Sequence, residues 1–411
     1  MSRTNLNRMI FRTAMAGLVA AAVSPQPAGA ATVVGTETVL NSVFGVNVHL
    51  DSCCGASYAD LPTVIAQIEY IGARHLRDWA TARQSIATWA AVRAATGATF
   101  HASIPETSPQ HQREALARIG TWIKSNPGLI DTIEGGNEED DVYARSQGAS
   151  LAQAAGMQPE VYALGHATGI PVDQLSVGAG WRPPLFQGDY ENFGTPPADR
   201  GNAHIYMNPN QPAVKALVQI GTLAQYSVSG GRVDVTEFGA YQGPRQDEAV
   251  VDASMHEAPF DAFMLGYTGL LVYVLRDDMT NVFGFYDAAG NKRAFADYWH
   301  YTTQLLSDPN GKTLPNKDVA LTFTDQVATG AAPLGIRNLP MYKSDGSLWI
   351  AAYDEERPGA PDGSETVGLD RSYGSVEIVD ARTGAVITRE SNTASIAVPL
   401  PANHIYFVVA Q

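Results

Sequence analysis

Two short segments of the chain carry apolar, strand-like residues that run into a glutamate. They are residues 133–138 (IEGGNE) and 235–239 (VTEFG), and in each the glutamate lies where a buried strand would reach the surface. Two carboxylates on two strands of one sheet can cleave a glycosidic bond. One protonates the leaving oxygen, and the other attacks the anomeric carbon or activates water. Glu138 and Glu237 are therefore candidate catalytic residues. A separation of about 5 Å would favour the retaining route, and a wider gap the inverting one.

The two roles need different protonation states, so the surroundings of each carboxylate matter. A cation beside Glu237 would keep it ionised, and Arg77 near the end of another predicted strand is the candidate. The alternative for Arg77 is a structural pair with Asp78 or another acid. The alternative for each glutamate is a salt-bridge partner or a helix cap.

Three further polar residues fall on the same predicted strands. Asn137 precedes Glu138 and could hydrogen-bond a sugar hydroxyl. His204 and Tyr206 alternate along one strand and therefore share a face, from which Tyr206 could donate to the Glu237 carboxylate. The alternative is a hydrogen-bonded polar pair inside the fold.

Strand-like runs and helical segments alternate through the first three quarters of the chain. Eight strands are predicted, at 43–49, 75–79, 99–105, 130–138, 175–181, 203–207, 233–238 and 270–275. A helix over 295–306 closes the series. Alternation of this kind predicts a parallel sheet, and eight units predict an α/β fold with a closed (β/α)₈ TIM barrel over 38–308. A doubly wound open sheet is the alternative, but residues 44–47 (FGVN) are not its glycine-rich phosphate loop.

The pattern changes after a connector at 315–318. Short strands separated by turn residues, without helical periodicity, predict a small all-β sandwich over 316–411. Residues 31–39 are a candidate additional strand for it. Residues 358–365 are interpreted as an exposed loop.

The first thirty residues differ from the rest. Three arginines, a short apolar run and a final Ala-Gly-Ala predict a secretory signal peptide over 1–30, cleaved after Ala30, and hence a secreted or periplasmic protein without a membrane anchor. Removing the arginines lowers the formal charge from −15 to −18. Such acidity argues against nucleic acid or anionic membranes as partners.

Taken together, these residues resemble the retaining glycoside hydrolases of clan A, including its xylosidase-like and endoglycosidase members. In that group the acid/base follows an asparagine at the end of strand four, as Glu138 follows Asn137, and the nucleophile ends strand seven, as Glu237 does. An arginine after strand two and a histidine or tyrosine on strand six are matched by Arg77, His204 and Tyr206. A C-terminal β-sandwich is also common in that group.

The chain departs from this pattern at two places. Many relatives have proline after the acid/base, whereas residues 139–141 here are acidic (EDD), read as a solvated loop rather than a cation site. Many also end strand eight with a tryptophan platform for sugar. Tyr273 or Trp181 could take that place, although a lone tryptophan is more often packing. Arg276 and Asp277 could recognise an acidic or heavily hydroxylated sugar.

The resulting prediction is a retaining glycosidase that acts on a β-linked oligo- or polysaccharide and needs no cofactor. Its alternatives are an inactive carbohydrate-binding protein on the same scaffold and, less favoured, a metal-dependent hydrolase, since the nine histidines form no His-x-His or HExxH cluster. Cys53 and Cys54 are adjacent and either bridge in a strained ring or stay free. The sugar, the linkage, endo or exo action and the oligomeric state stay open.

Overall fold

The computed structural model describes most of the chain after its first 29 residues. The described ranges are 30–51, 58–105, 108–139, 150–178, 194–208, 211–225, 232–240, 247–277, 282–325, 334–355 and 362–411.

Eight parallel strands form a closed barrel, which confirms the predicted fold. They are β2 (Gly45–Asn47), β3 (His75–Trp79), β4 (Thr99–Ile104), β5 (Ile130–Gly136), β6 (Val172–Asp173), β7 (Gly201–Met207), β8 (Val233–Ala240) and β9 (Gly269–Val272). The order along the sheet runs from β6 through β5, β4, β3, β2, β9 and β8 to β7. A parallel bridge between Asp173 and Arg200 joins β6 to the chain entering β7 and closes the ring.

Helices surround the barrel. They are α1 (Thr36–Val43), α2 (Leu61–Ile71), α3 (Ile86–Thr96), α4 (Pro109–Ser125), α5 (Leu151–Thr168), α6 (Ala213–Gln225), α7 (Glu248–Met264) and α8 (Ala294–Leu306). In α2 the apolar stripe of Val64, Ile68 and Ile71 is buried, and the helix ends at Gly72, whose φ of 67° suits a residue without a Cβ atom. No helix in the described ranges is both long and apolar enough to cross a membrane.

Two predicted strands of the barrel differ from the observed ones. The fifth was placed at 175–181, but the observed strand is Val172–Asp173, and residues 175–178 follow it with the Gln174 side chain accepting from the Leu175 N–H. Residues 179–181 lie outside the described ranges. The first was predicted to start at Val43, which instead ends α1. Residues 36–39, assigned to a possible N-terminal strand, begin the same helix; the Glu37 carboxylate in its first turn accepts from the Asp308 N–H.

The second unit is all-β, as predicted, and its eight strands are joined in one mostly antiparallel sheet. They are β1 (Ala30–Gly35), β10 (Lys317–Ala320), β11 (Thr322–Phe323), β12 (Gly335–Tyr342), β13 (Leu348–Glu355), β14 (Gly363–Asp380), β15 (Val386–Leu400) and β16 (Tyr406–Ala410). The sheet curls over one apolar core, because Val367 and Ile378, at opposite ends of β14, belong to the same buried cluster. Two loop predictions need correction: residues 317–318 lie in β10, and residues 363–365 of the loop predicted over 358–365 belong to β14, where Glu365 is buried and accepts from Asn338. Residues 358–361 lie outside the described ranges.

Helix α7 packs between the two units. Its residues from Val251 to Ala262 are all buried, including three acids and a histidine. Asp261 accepts a hydrogen bond from Tyr353 of β13 at 2.7 Å, and Arg337 of β12 lies 3.5 Å from the same carboxylate and 3.3 Å from Glu355. Polar contacts therefore tie the β unit to the barrel wall.

Candidate active site

The two glutamates singled out by the sequence lie close together at the carboxyl end of the barrel. Glu138 follows β5, and Glu237 lies on β8. A carboxylate oxygen of each and a ring nitrogen of His204 lie within 4.8 Å of one another. The Glu138 side chain is 24% exposed and that of Glu237 is 7% exposed, so both border an opening to solvent.

Glu138 has a strained backbone. Its φ of 40° places a non-glycine residue in the left-handed region, which costs of the order of 1–3 kcal/mol and is found mainly at functional sites. The Glu138 N–H donates to the Ser176 hydroxyl at 3.2 Å. This turn aims the side chain away from the direction of β5 and toward His204.

Close packing behind β5 depends on Gly135. A Cβ atom there would lie 2.1 Å from the Gln158 side-chain oxygen on α5 and 2.9 Å from the Leu175 nitrogen. Only glycine lets α5 and the segment after β6 approach β5 this closely. The sequence therefore places glycine directly beneath the residues that carry the candidate chemistry.

Arg77 on β3 is the hub of the site. Its Nη1 donates to Glu237 Oε1 at 2.6 Å and to Asn47 at 2.9 Å, and its Nη2 donates to Asn137 at 2.5 Å. The guanidinium also binds Glu134 through Nε at 2.5 Å and Nη2 at 2.8 Å. Arg77 is thus paired with the predicted nucleophile, and it does not pair with Asp78, whose carboxylate accepts from Gln84 and Trp89.

Glu237 is held in its charged form. Burial alone would raise its pKa, but the His204 ring, the Arg77 guanidinium and the Tyr206 hydroxyl together lower it. Tyr206 donates to Glu237 Oε2 at 2.5 Å, and burial next to that carboxylate raises the pKa of Tyr206 well above its ordinary value. A low-pKa carboxylate with both oxygens hydrogen-bonded is what a nucleophile at neutral pH requires.

The surroundings of Glu138 are different. Its Oε1 lies 2.6 Å from His204 Nδ1, and its side chain is more exposed than that of Glu237. Burial lowers the pKa of His204, but the charges of Glu237 and Glu138 outweigh burial and raise it overall. One carboxylate of the pair is therefore bound by a fixed cation and the other by a group that can gain or lose a proton.

The remaining predicted sugar-binding residues divide into three groups. Tyr273 is at the site: its hydroxyl is 3.2 Å from His49 Nε2, and its ring packs edge-on against Tyr206. Asn137 is oriented by Arg77. Trp181 lies outside the described residues, as do Cys53 and Cys54.

Both predicted rim residues, Arg276 and Asp277, have hydrogen-bond partners within the protein. Arg276 is buried and donates to Gln67 at 2.6 Å, and Asp277 accepts two hydrogen bonds from Arg293 at 2.9 and 2.6 Å. Glu139, read as part of a solvated loop, is 1% exposed because it accepts from Gln112 of α4. Residues 140 and 141 lie outside the described ranges.

Sequence reasoning missed a set of buried polar residues beneath the pair. Glu134 on β5 accepts from Arg77 and, at 2.9 Å, from Asn202 Nδ2. Thr236 donates to Asn202 Oδ1 at 2.5 Å and faces His204 Nε2 at 3.1 Å. Thr236 and Glu134 lie inside the two segments that carry the glutamates. A polar residue in the middle of an apolar strand could therefore have indicated these buried partners.

Among the described residues, two groups of side chains have the spacing of metal ligands. In the first, Glu138, His204 and Glu237, the donor atoms are engaged with one another and with Arg77 and Tyr206. The second group consists of His101, Asp173 and Asp234 and lies deeper in the barrel. There Arg200 pairs with Asp234 at 2.5 Å. We assign metal ligands to neither group.

Comparison with solved structures identifies the same architecture elsewhere. A GH39 β-xylosidase from Caulobacter crescentus aligns with a TM-score of 0.59 and 10% identity, over 93% of this chain and 98% of that one. A glycoside hydrolase family 30 subfamily 8 xylanase from Clostridium acetobutylicum aligns with a TM-score of 0.54 and 14% identity, over 92% and 99%. The protein N2152 from Neocallimastix frontalis aligns with a TM-score of 0.52 and 11% identity, over 92% and 98%. At such identities the likeness concerns the fold. No family model and no curated protein matches the chain.

Proposed function

We propose that this protein is a retaining glycoside hydrolase that cleaves β-linked oligo- or polysaccharides, with Glu237 as nucleophile and Glu138 as acid/base. The observation that carries the proposal is the approach of these two carboxylates to within 4.8 Å in contrasting surroundings. In retaining enzymes the two carboxyl groups are about 5–5.5 Å apart, whereas inverting enzymes leave room for a water between them.

In the first step of this mechanism the ionised Glu237 attacks the anomeric carbon. The new carbon–oxygen bond forms as the glycosidic bond breaks, and the departing oxygen takes a proton from Glu138. In the second step a water molecule gives a proton to Glu138 and attacks the same carbon, which releases Glu237 as a carboxylate. Both steps use carboxylates and water, so the proposal includes no cofactor.

Arg77 and Tyr206 serve the nucleophile in this scheme. Each holds one oxygen of Glu237, at 2.6 and 2.5 Å, which orients the carboxylate and keeps it ionised. Asn137, fixed by Arg77 at 2.5 Å, would bind a hydroxyl of the sugar ring, and the Tyr273 ring would border the sugar.

The substrate class and the location are also part of the proposal. The architecture is shared over nearly the full chain with proteins named as a xylanase and a β-xylosidase. Xylan and aryl β-xylosides are therefore the first substrates to test, followed by other aryl β-glycosides and mixed polysaccharides. Export, from the signal-peptide pattern of residues 1–30, agrees with a polymeric substrate outside the cell.

Azide rescue tests both roles on one substrate, an activated aryl β-glycoside. Without the nucleophile, in Glu237→Ala, azide attacks the substrate once and gives the α-glycosyl azide. Without the acid/base, in Glu138→Ala, azide attacks the glycosyl-enzyme and gives the β-glycosyl azide. Glu114→Ala, exposed on α4, is the control and should leave activity unchanged. Rescue with a single stereochemistry for both variants, or tight glycan binding without turnover by the wild type, would contradict the proposal; the latter would favour a carbohydrate-binding protein.

A further inference from the structure

The hydrogen-bond chain beneath the two glutamates starts at a third carboxylate, Glu134. Its Oε1 accepts from Arg77 Nη2 and from Asn202 Nδ2, and its Oε2 accepts from Arg77 Nε. Burial alone would raise the pKa of Glu134, but the Arg77 charge lowers it far below its ordinary value. Glu134 is therefore ionised and can only accept hydrogen bonds.

This carboxylate fixes the orientation of the Asn202 amide. One end of the amide faces Glu134 Oε1 at 2.9 Å and the Gln174 carbonyl oxygen at 3.0 Å. Both of these groups are acceptors, so that end must be the NH₂ group. The other end, Oδ1, faces Thr236 at 2.5 Å and must accept. The Thr236 hydroxyl consequently gives its only proton to Asn202.

The same logic fixes one nitrogen of His204. The Thr236 oxygen lies 3.1 Å from Nε2 and, having donated its proton, can only accept from that nitrogen. Nε2 must therefore carry a hydrogen. The Glu134 carboxylate, 4.0 Å from Nε2, favours a proton there as well. The other charged groups facing the ring are Glu138, Glu237 and Arg77.

A fixed Nε2–H has a consequence at Nδ1, which lies 2.6 Å from Glu138 Oε1. With Nε2 protonated, the contact between Nδ1 and Glu138 needs one further proton. Either Glu138 is protonated and the His204 ring is neutral, or Nδ1 is protonated and an imidazolium faces the Glu138 carboxylate. Loss of that proton would leave two acceptors facing each other at 2.6 Å. The other neutral tautomer of His204, with the proton on Nδ1 and none on Nε2, would avoid that conflict by donating to an ionised Glu138. The hydrogen bonds from Glu134 through Asn202 and Thr236 disfavour this tautomer.

We propose that Thr236 and Asn202 are positioning residues, which hold His204 in its Nε2–H form so that the Glu138–His204 pair keeps its proton for the leaving group. This inference rests on the proposed function and extends it. In this hydrogen-bond network, the ionised Glu134 inside the barrel fixes, through Asn202 and Thr236, which nitrogen of His204 carries a proton. Neither residue would touch the substrate.

The kinetic test compares Thr236→Val with the wild type. Valine keeps the shape of threonine without the hydroxyl, so the ring can adopt the Nδ1–H form and the pair can lose its proton more easily. We expect the alkaline limb of the kcat/KM profile to move down by about one pH unit or more for an aryl glycoside with a poor leaving group. The shift should be small for an activated leaving group, which needs little protonation, and Thr236→Ser should restore the profile.

A matched control is available in the same protein. The Thr302 hydroxyl lies 2.7 Å from Nε2 of the buried His256, at the packing of α7 and α8. Thr302→Val removes the same kind of threonine–histidine contact outside the site and should leave the pH profile unchanged. A Thr236→Val profile that coincides with those of the wild type and Thr302→Val would overturn the inference.

A second measurement does not depend on activity. In the ¹⁵N-histidine-labelled full chain, His204 is assigned from the signal lost in His204→Gln. Its Nε2 should give a protonated, pyrrole-type signal at every pH at which the protein is folded. A neutral ring with the proton on Nδ1 in the wild type would refute the inference, even if the protein cleaved glycosides. Conversely, a wild type without glycosidase activity but with the Nε2–H form would count only against the proposed function.

Discussion

The hydrogen bond from Tyr206 to Glu237 offers a clean perturbation of the proposed nucleophile. Tyr206→Phe removes one hydroxyl and leaves the ring packed against Tyr273 and Phe283. A hydrogen bond to a charged group contributes about 1.5–3 kcal/mol, and 1.36 kcal/mol corresponds to one pKa unit. Because Tyr206 bonds Glu237 Oε2 at 2.5 Å in a buried setting, its removal should raise the pKa of Glu237 by about one to two units.

The assay is the pH dependence of kcat/KM with an aryl β-glycoside. Glu237 must be ionised to attack, so the acid limb reports its protonation, and in Tyr206→Phe this limb should move to higher pH. Arg77 still holds Oε1, so activity should persist on the plateau at reduced kcat.

A matched control and a clear refutation exist for this experiment. Tyr373 donates to Asp370 at 2.9 Å in the β unit, and Tyr373→Phe removes the same type of contact far from the site. It should leave the profile unchanged. An acid limb that stays in place in Tyr206→Phe, with the variant folded and active, would show that Tyr206 does not stabilise the charged nucleophile and that our reading of the pair is wrong.

Three further predictions concern stability and export. Burial raises the pKa of Glu257 well above its ordinary value, so the folded state keeps a proton that the unfolded state releases. The free energy of unfolding should therefore fall by about 1.4 kcal/mol per pH unit as the pH rises from the unfolded toward the folded pKa of Glu257, and urea unfolding of Glu257→Gln should show a weaker decline over that range. Gly135→Ala should destabilise the protein by about 1–3 kcal/mol and reduce activity, because the new methyl group would collide with Gln158; Gly156→Ala, with open space around it, should be neutral or slightly stabilising in the same thermal melts. N-terminal sequencing of exported protein should start at Ala31, and a retained leader would count against export.

The predictable part of the site consists of residues whose type and place in a strand both indicate chemistry. Glu138 follows β5 and Glu237 lies in the second half of β8, and parallel strands meet at one edge, so the barrel brings the two residues together although they are distant in sequence. Arg77, His204 and Tyr206 were found by the same rule. The carboxyl ends of the predicted strands therefore indicated most of the residues that the structure places at the site.

The unpredicted part depends on partners that only tertiary packing supplies. β12 contains an arginine, an asparagine and a proline, which do not give a strand pattern, yet it is buried because Arg337 meets Asp261 and Asn338 donates to Glu365. Glu134 in the middle of β5 was unassigned for the same reason. A buried polar residue is explained by its hydrogen-bond partner, and no local pattern identifies that partner.

Trapping the glycosyl-enzyme would show whether Glu237 is the nucleophile. A 2-deoxy-2-fluoro glycoside with a good leaving group slows both steps but allows the covalent intermediate to accumulate, and peptide mass spectrometry then locates the sugar. We predict a single label of one glycosyl unit on Glu237, abolished in Glu237→Ala and retained in Glu138→Ala. A label on another residue, or turnover of natural glycans with inversion and no covalent adduct, would contradict it.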